Sequence, residues 1–170
     1  MTDPAARVIL LSLDVDGVLT NGSINLDDLG RETKRFHVRD GFGISTWRRL
    51  GYHTAIITGR QGMAVHHRAT EMGIDTVIQG RPDKRQAFDV MLKQLDVHPE
   101  QVAHIGDDLP DLPVMRRCGY PIAVADAVSE VRDAASFVTV RPGGHGAVRE
   151  AVEHLLQSRD QWSGVVDSYD

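Results

Sequence analysis

The chain has 170 residues, enough for one domain with a substantial core, and its 41% hydrophobic and 25% charged residues are ordinary for a globular protein. A net charge of -5 argues against a sequence-blind nucleic-acid binder, and no apolar run reaches membrane-spanning length. The N-terminus lacks a signal-peptide pattern and the single cysteine, Cys118, has no internal partner for a disulfide, so the expected address is cytoplasmic.

The first predicted element is the stretch Val8–Thr20. It begins as a nearly unbroken apolar run, the pattern of a strand buried on both faces in a parallel sheet. It ends in Asp14 and Asp16, which an extended chain points to the same side, followed by Gly17, where the chain turns. Open parallel sheets bind ligands beyond the carboxyl ends of their strands. A catalytic or metal site is therefore expected at this tip, against the plain alternative of a solvated acidic turn.

Residues 21–38 alternate polar and apolar on either side of the turn-rich Asp27–Arg31, which predicts an inserted β-hairpin with strands over Ser23–Leu26 and Thr33–Val38. A two-stranded hairpin is marginal alone and is expected to pack on something, another subunit included. Arg39–Gly43 is read as the close of the hairpin and Ile44–Leu50 as a helix.

A second buried strand, His53–Ile57, runs into Thr58, Gly59 and Arg60; a helix over Gln61–Met72 and a short strand over Thr76–Gln79 follow. Asp83 is placed to cap a helix over Lys84–Leu95. Val102–Gly106 is a strand that enters the acidic loop Asp107–Asp108, and Leu112–Arg117 is a short helix. Pro121–Val124 and Phe137–Val140 are strands separated by a helical turn, Ser129–Ala135, and Gly143–Gly146 leads into a helix over Ala147–Gln157. Residues 158–170 have weak periodicity and are expected to be loose. The repeated alternation of strand and helix is the signature of an α/β fold with a doubly wound, mostly parallel sheet, here as a single domain over 1–170.

In such a sheet Asp14, Asp16, Thr58, Lys84, Asp107 and Asp108 converge on one edge. Clustered carboxylates repel one another unless a hard divalent cation lies among them, and Mg²⁺ suits two or three Asp. A hydroxyl and an ammonium beside that cation suggest a bound anion, with phosphate the obvious one. Lys84 opposes the dipole of the helix it begins, a local conflict that hints at a functional role.

Asp14–Thr20, Thr58–Gly59, Lys84 and Gly106–Asp111 resemble, in order and spacing, the motifs of the haloacid dehalogenase superfamily of phosphotransferases. Phe36–Ile44, Ile56–Arg60 and Gly143–Glu150 further resemble the 3-deoxy-D-manno-octulosonate 8-phosphate phosphatase family, over about residues 8–156. The resemblance implies a HAD-like domain without a large cap, and a homotetramer in which the hairpin helps to close a neighbour's site. It implies Asp14 as nucleophile and Asp16 as general acid and base. Thr58 and Lys84 would bind the phosphoryl group, and Asp14, Asp16 (main chain) and Asp107 would ligate Mg²⁺. Asp108 and Asp111 would orient metal waters or Lys84, or Asp111 would simply cap the Leu112 helix.

A phosphorylated sugar-acid substrate requires a cation for its carboxylate. Arg60 and Arg68, eight residues apart, are expected on one helix face, and Gly59 and the segment His37, Val38, Arg39, Asp40 and Gly41 complete the expected substrate contacts, the latter from a neighbouring subunit. The plain alternatives are a solvated Arg68 and an Arg39–Asp40 surface pair. His145 stands where the family often carries Arg. Competing readings are a nonulosonate 9-phosphate phosphatase, which Arg60 disfavours, and a non-catalytic phospho-accepting or assembly domain, which the order of the acidic motifs and the complete motif set disfavour.

Overall fold

In the computed structural model, which describes residues 3–170, the apolar strands assemble into one six-stranded parallel sheet. The strands are β1 (Leu10–Leu13), β4 (His53–Ile57), β5 (Thr76–Ile78), β6 (Val102–Gly106), β7 (Tyr120–Ala123) and β8 (Phe137–Val138). Their spatial order is β5-β4-β1-β6-β7-β8, so the first strand made lies in the middle, flanked by partners from later in the chain. β1 is buried at every position, as the continuous apolar run requires.

Alternation along the strands splits the core into two layers. Leu11, Leu13, Ile56, Ala103 and Ile105 pack with α1 (Val38–Arg49), α2 (Met63–Met72) and α6 (Ala147–Gln157). Leu10, Ala55, Ile57 and Val102 pack with Ala87, Phe88 and Met91 of α3 (Lys84–Leu95). Two short helices, α4 (Leu112–Met115) and α5 (Ser129–Asp133), connect the later strands. No large cap is inserted among the described residues; between β1 and α1 lies only a two-stranded antiparallel hairpin, β2 (Asn25–Leu26) and β3 (Glu32–Thr33).

Three expectations are corrected. The hairpin strands are shorter than predicted, and α1 starts at Val38 rather than Ile44. The glycines of the Arg39–Gly43 stretch suggested a turn, but they serve close packing inside the helix. A side chain on Gly43 would press on the backbone of Arg149 in α6, and one on Gly41 would overlap the Arg68 guanidinium. The third correction is the tail, which forms α7 (Trp162–Asp167) and is held down. Arg159 donates to the carbonyls of Ala5 and Val8 and lies over the rings of Trp47 and Tyr52. Tyr52 Oη donates to Gln161, and Val165 is buried. None of the helices among the described residues is long and apolar enough to cross a membrane.

Candidate active site

Beyond the carboxyl ends of β1, β4 and β6 lies a cleft of about 430 Å³. Asp14 follows β1 directly; its Oδ1 accepts from the Val15 amide at 2.7 Å and its Oδ2 lies 2.8 Å from Lys84 Nζ. Lys84 opens α3, where Asp83 caps the helix by accepting from the Arg85 and Gln86 amides. The Lys84 ammonium, 3% exposed, bridges Asp14 to Asp111 Oδ1 at 2.7 Å. Asp111 is not a cap for α4. Its carboxylate is buried, lies 3.1 Å from His104 Nε2, and accepts from the Asp107 amide at 3.1 Å. His104 is a hydrogen-bonded core residue; its Nδ1 lies 3.0 Å from Ser12 Oγ on β1.

Asp107 comes to the same point from the end of β6. Asp14, Asp107 and Asp111 each bring a carboxylate oxygen within 4.8 Å of the others. Burial and then the Asp111 charge push Asp14 up to about 6, against the pull of Lys84. Burial, Asp111 and Asp14 push Asp107 up to about 7. Burial would raise Asp111 too, but the His104 hydrogen bond and the Lys84 charge hold it well below the usual carboxylate range. Burial acts to lower Lys84, and the two carboxylates outweigh it and hold it above its ordinary value. Asp107 Oδ1 is buried with no hydrogen-bond partner. A buried, partnerless carboxylate oxygen beside a second carboxylate is a donor set that fits a hard divalent cation. With Asp111 committed to Lys84 and His104, the oxygens open to such an ion belong to Asp14 and Asp107.

The loop carrying Asp16 is held by glycines. Gly17 has φ +90°, and a side chain there would overlap the Asp107 carboxylate. A side chain on Gly143 would overlap the Gly17 carbonyl, and the Gly144 amide donates to Val18 O at 2.9 Å. The Gly143–Gly146 stretch therefore clamps the acidic loop from behind. His145 folds onto the same stretch, its Nδ1 2.8 Å from Gly143 O.

The structure brings Asp14, Asp16, Thr58, Gly59, Arg60, Lys84, Asp107 and Asp108 to this one cleft. The Asp108 carboxylate accepts from the Leu109 amide and caps a 3-10 turn. Arg60 precedes α2, so the eight-residue spacing does not set it on a helix face with Arg68. Arg68 pairs with Glu71 at 2.7 Å and lies over the Phe36 ring. In the single chain His37, Val38, Arg39, Asp40, Gly41 and Arg68 do not line the cleft. His37 caps α1 by accepting from the Arg39 amide. Asp40 is not a surface partner of Arg39: it is buried and accepts from the Gly146 and Arg149 amides at the start of α6. Two residues that sequence reasoning passed over, Glu32 and Lys34, reach the site from the hairpin. Lys34 Nζ lies 2.5 Å from Asp16 Oδ1 and 3.1 Å from Glu32, and Glu32 accepts from Arg60 at 2.8 Å. Their two-residue spacing, which puts both on one side of a strand, was the available signal.

A haloacid dehalogenase-like hydrolase family model matches residues 77–151. The chain is 44% identical over 160 residues to the 3-deoxy-D-manno-octulosonate 8-phosphate phosphatase KdsC of Yersinia pestis, covering 94% of this chain and 86% of that protein. It is 45% identical over 152 residues to the enzyme of that name in Escherichia coli K12, covering 89% and 81%. Among solved structures it resembles the 3-deoxy-D-manno-octulosonate 8-phosphate phosphatase of Moraxella catarrhalis in complex with magnesium, phosphate and KDO. The TM-score is 0.95 at 38% identity, over 98% of this chain and 96% of that one. The cobalt-bound deoxy-D-mannose-octulosonate 8-phosphate phosphatase of Haemophilus influenzae matches with TM-score 0.92 at 37% identity, over 95% and 94%.

Proposed function

The chain belongs to the 3-deoxy-D-manno-octulosonate 8-phosphate phosphatase family, and from that premise we propose that it is a Mg²⁺-dependent phosphomonoesterase releasing 3-deoxy-D-manno-octulosonate and phosphate in lipopolysaccharide sugar biosynthesis. The observation that carries the reading is the Lys84 bridge between Asp14 and Asp111, set beside a partnerless Asp107 oxygen.

Asp14 attacks phosphorus in line and forms an aspartyl-phosphate as the ester bond breaks. Asp16 protonates the departing sugar oxygen, then takes a proton from the water that hydrolyses the intermediate. Lys84 and Thr58 hold phosphoryl oxygens, with the charge stabilised most in the transition state. Lys84 is already fixed by Asp111, so its ammonium reorients little during reaction. Asp14, Asp107 and the main-chain carbonyl of Asp16 are the proposed ligands of Mg²⁺, which when bound offsets the repulsion between an anionic nucleophile and a dianionic phosphate. Asp108 and Asp111 support this arrangement from behind.

Arg60, at the cleft mouth, is the proposed grip for the sugar-acid carboxylate, with Gly59 beside it. His37, Val38, Arg39 and Arg68, outside the chain's own cleft, are proposed to act across a subunit boundary, with the buried Asp40 and Gly41 fixing the start of α1 beneath them. The same reading has the protein work in the cytoplasm as a homotetramer built through the hairpin, whose Ile24, Leu26 and Leu29 are exposed apolar side chains.

The test is phosphate release from a panel of phosphorylated sugar acids with Mg²⁺, for wild type and Asp14→Asn. Preference for the eight-carbon octulosonate, lost in the variant and with chelator, is expected. Preference for a nine-carbon acid would replace the substrate and keep the chemistry. No release from any substrate would favour a binding or assembly role.

A further inference from the structure

The hairpin between β1 and α1 delivers a buried cation to the proposed general acid of its own chain. The Lys34 side chain is 2% exposed, and its ammonium lies 2.5 Å from Asp16 Oδ1 and 3.1 Å from Glu32 Oε1. Asp16 Oδ2 has no such short contact; Arg60 Nε stands 3.7 Å away, beyond hydrogen-bonding distance. The two oxygens of Asp16, a residue lining the open cleft, are thus unequal: Oδ1 is tied to Lys34, and Oδ2 has no comparable tie.

Resting on the phosphatase reading, we propose that Lys34 is the positioning residue of the general acid, holding Asp16 by Oδ1 so that Oδ2 faces the leaving oxygen. Glu32 shares the ammonium and also ties Arg60 at 2.8 Å, so the pair is oriented by residues from both sides of the cleft mouth. In the first half-reaction a bond forms between Asp14 and phosphorus, the ester P–O bond breaks, and the proton on Asp16 Oδ2 passes to the departing alkoxide. Lys34 keeps its protons throughout. A carboxylate on a single-carbon stem has rotational freedom, and a charge-assisted hydrogen bond from a desolvated ammonium is a strong means of removing it. The plain alternative is that Lys34 only staples the hairpin to the domain.

The two differ in how the effect depends on the leaving group. Kinetics read as kcat/KM stop at formation of the aspartyl-phosphate, before Asp16 acts as base. An alkoxide needs the proton from Asp16, whereas nitrophenolate leaves without one. The experiment compares wild type, Lys34→Met and Lys34→Arg on p-nitrophenyl phosphate and on whichever alkyl phosphomonoester of the panel wild type hydrolyses best. In Lys34→Met, kcat/KM for the alkyl ester is expected to fall about 100-fold, mostly through kcat, and that for the nitrophenyl ester less than about threefold, the scale of a lost general acid. Lys34→Arg is expected to recover much of the alkyl-ester loss.

Equal losses on both esters, or a loss confined to KM, would overturn the proposal and leave Lys34 a staple. Where the methionine variant does not fold, Lys34→Gln, which keeps a donor but not the charge, is expected to show a smaller loss still confined to the alkyl ester, and equal losses on both esters would again overturn the proposal. A wild type that hydrolyses alkyl esters other than the octulosonate phosphate would alter the substrate and leave this test intact. A wild type inactive on every ester would overturn both.

Discussion

Asp107 and Asp14 hold protons more tightly than free carboxylates do, and this makes the protein's stability depend on pH in a specific direction. Their folded values, about 7 and about 6, lie above the ordinary 3.8. The native state therefore binds more protons than the unfolded state between these limits. The contribution is fully present below about pH 4 and is lost as pH rises through 6 to 7. A divalent cation in the same place removes the penalty. In chelator the melting temperature is expected to drop by a few degrees from about pH 5 to about pH 7.5, and Mg²⁺ to restore it. Asp107→Asn should flatten that slope, an outcome read by thermal unfolding in buffers with and without Mg²⁺. His154, lowered by burial, acts in the opposite sense in this window, so the comparison with the variant is the decisive one. Asp14, Asp16, Thr58, Lys84 and Asp107 were legible in the sequence because each stands at the end of a periodic element, where topology alone sets its place. Lys34 was not, since its spacing from Glu32 sets the two on one side of the strand without telling which way the hairpin folds.

The helices show a second kind of information that local reading loses. α3 and α6 were predicted to the residue, helped by the Asp83 cap and by Gly146 before Ala147. α1 was truncated because Gly41 and Gly43 look like breakers, while their lack of side chains is what admits Arg68 and the α6 backbone. Asp40 belongs to the same contact. Gly146, at the start of α6, offers no side-chain cap, and Asp40 supplies one from α1 by accepting from the Gly146 amide at 3.2 Å and the Arg149 amide at 2.9 Å. A cap lent by another helix has no signature in sequence spacing. Asp40→Ala is expected to destabilise the protein by about 1–2 kcal/mol, the usual cost of a lost cap. Urea unfolding measures it; a change below about 0.3 kcal/mol would mean that α6 is held by packing alone.

For the molecule as a whole, the parallel sheet flanked by helices follows from the alternation of strand and helix and was expected; its strand order was not. The docking of residues 158–170 was not, because it rests on single side chains, Arg159 and Val165 among them, rather than on a repeating pattern. The hairpin remains the least covered part: Leu26 is 62% and Leu29 77% exposed. Such side chains at the tip of a marginal element match a surface covered in an assembly. Light scattering is expected to return four times the 18.7 kDa of the chain, and Leu26→Asp with Leu29→Asp to return a smaller species. A single-chain mass for wild type would remove the homotetramer from the proposal.

The glycine clamp behind the acidic loop also governs when the protein becomes complete during its synthesis. β1 precedes everything that holds it: its partners are residues 53–57 and 102–106, and the loop after Asp14 is closed by Gly143 and Gly144. Most of the chain must emerge before the first strand is covered on both edges. An emerging chain therefore leaves one edge of an apolar strand open until residues 102–106 follow, an exposure that favours aggregation. Asp107, Asp111 and the clamp at Gly143 follow later still, so a chain interrupted before residue 107 lacks two of the three clustered carboxylates.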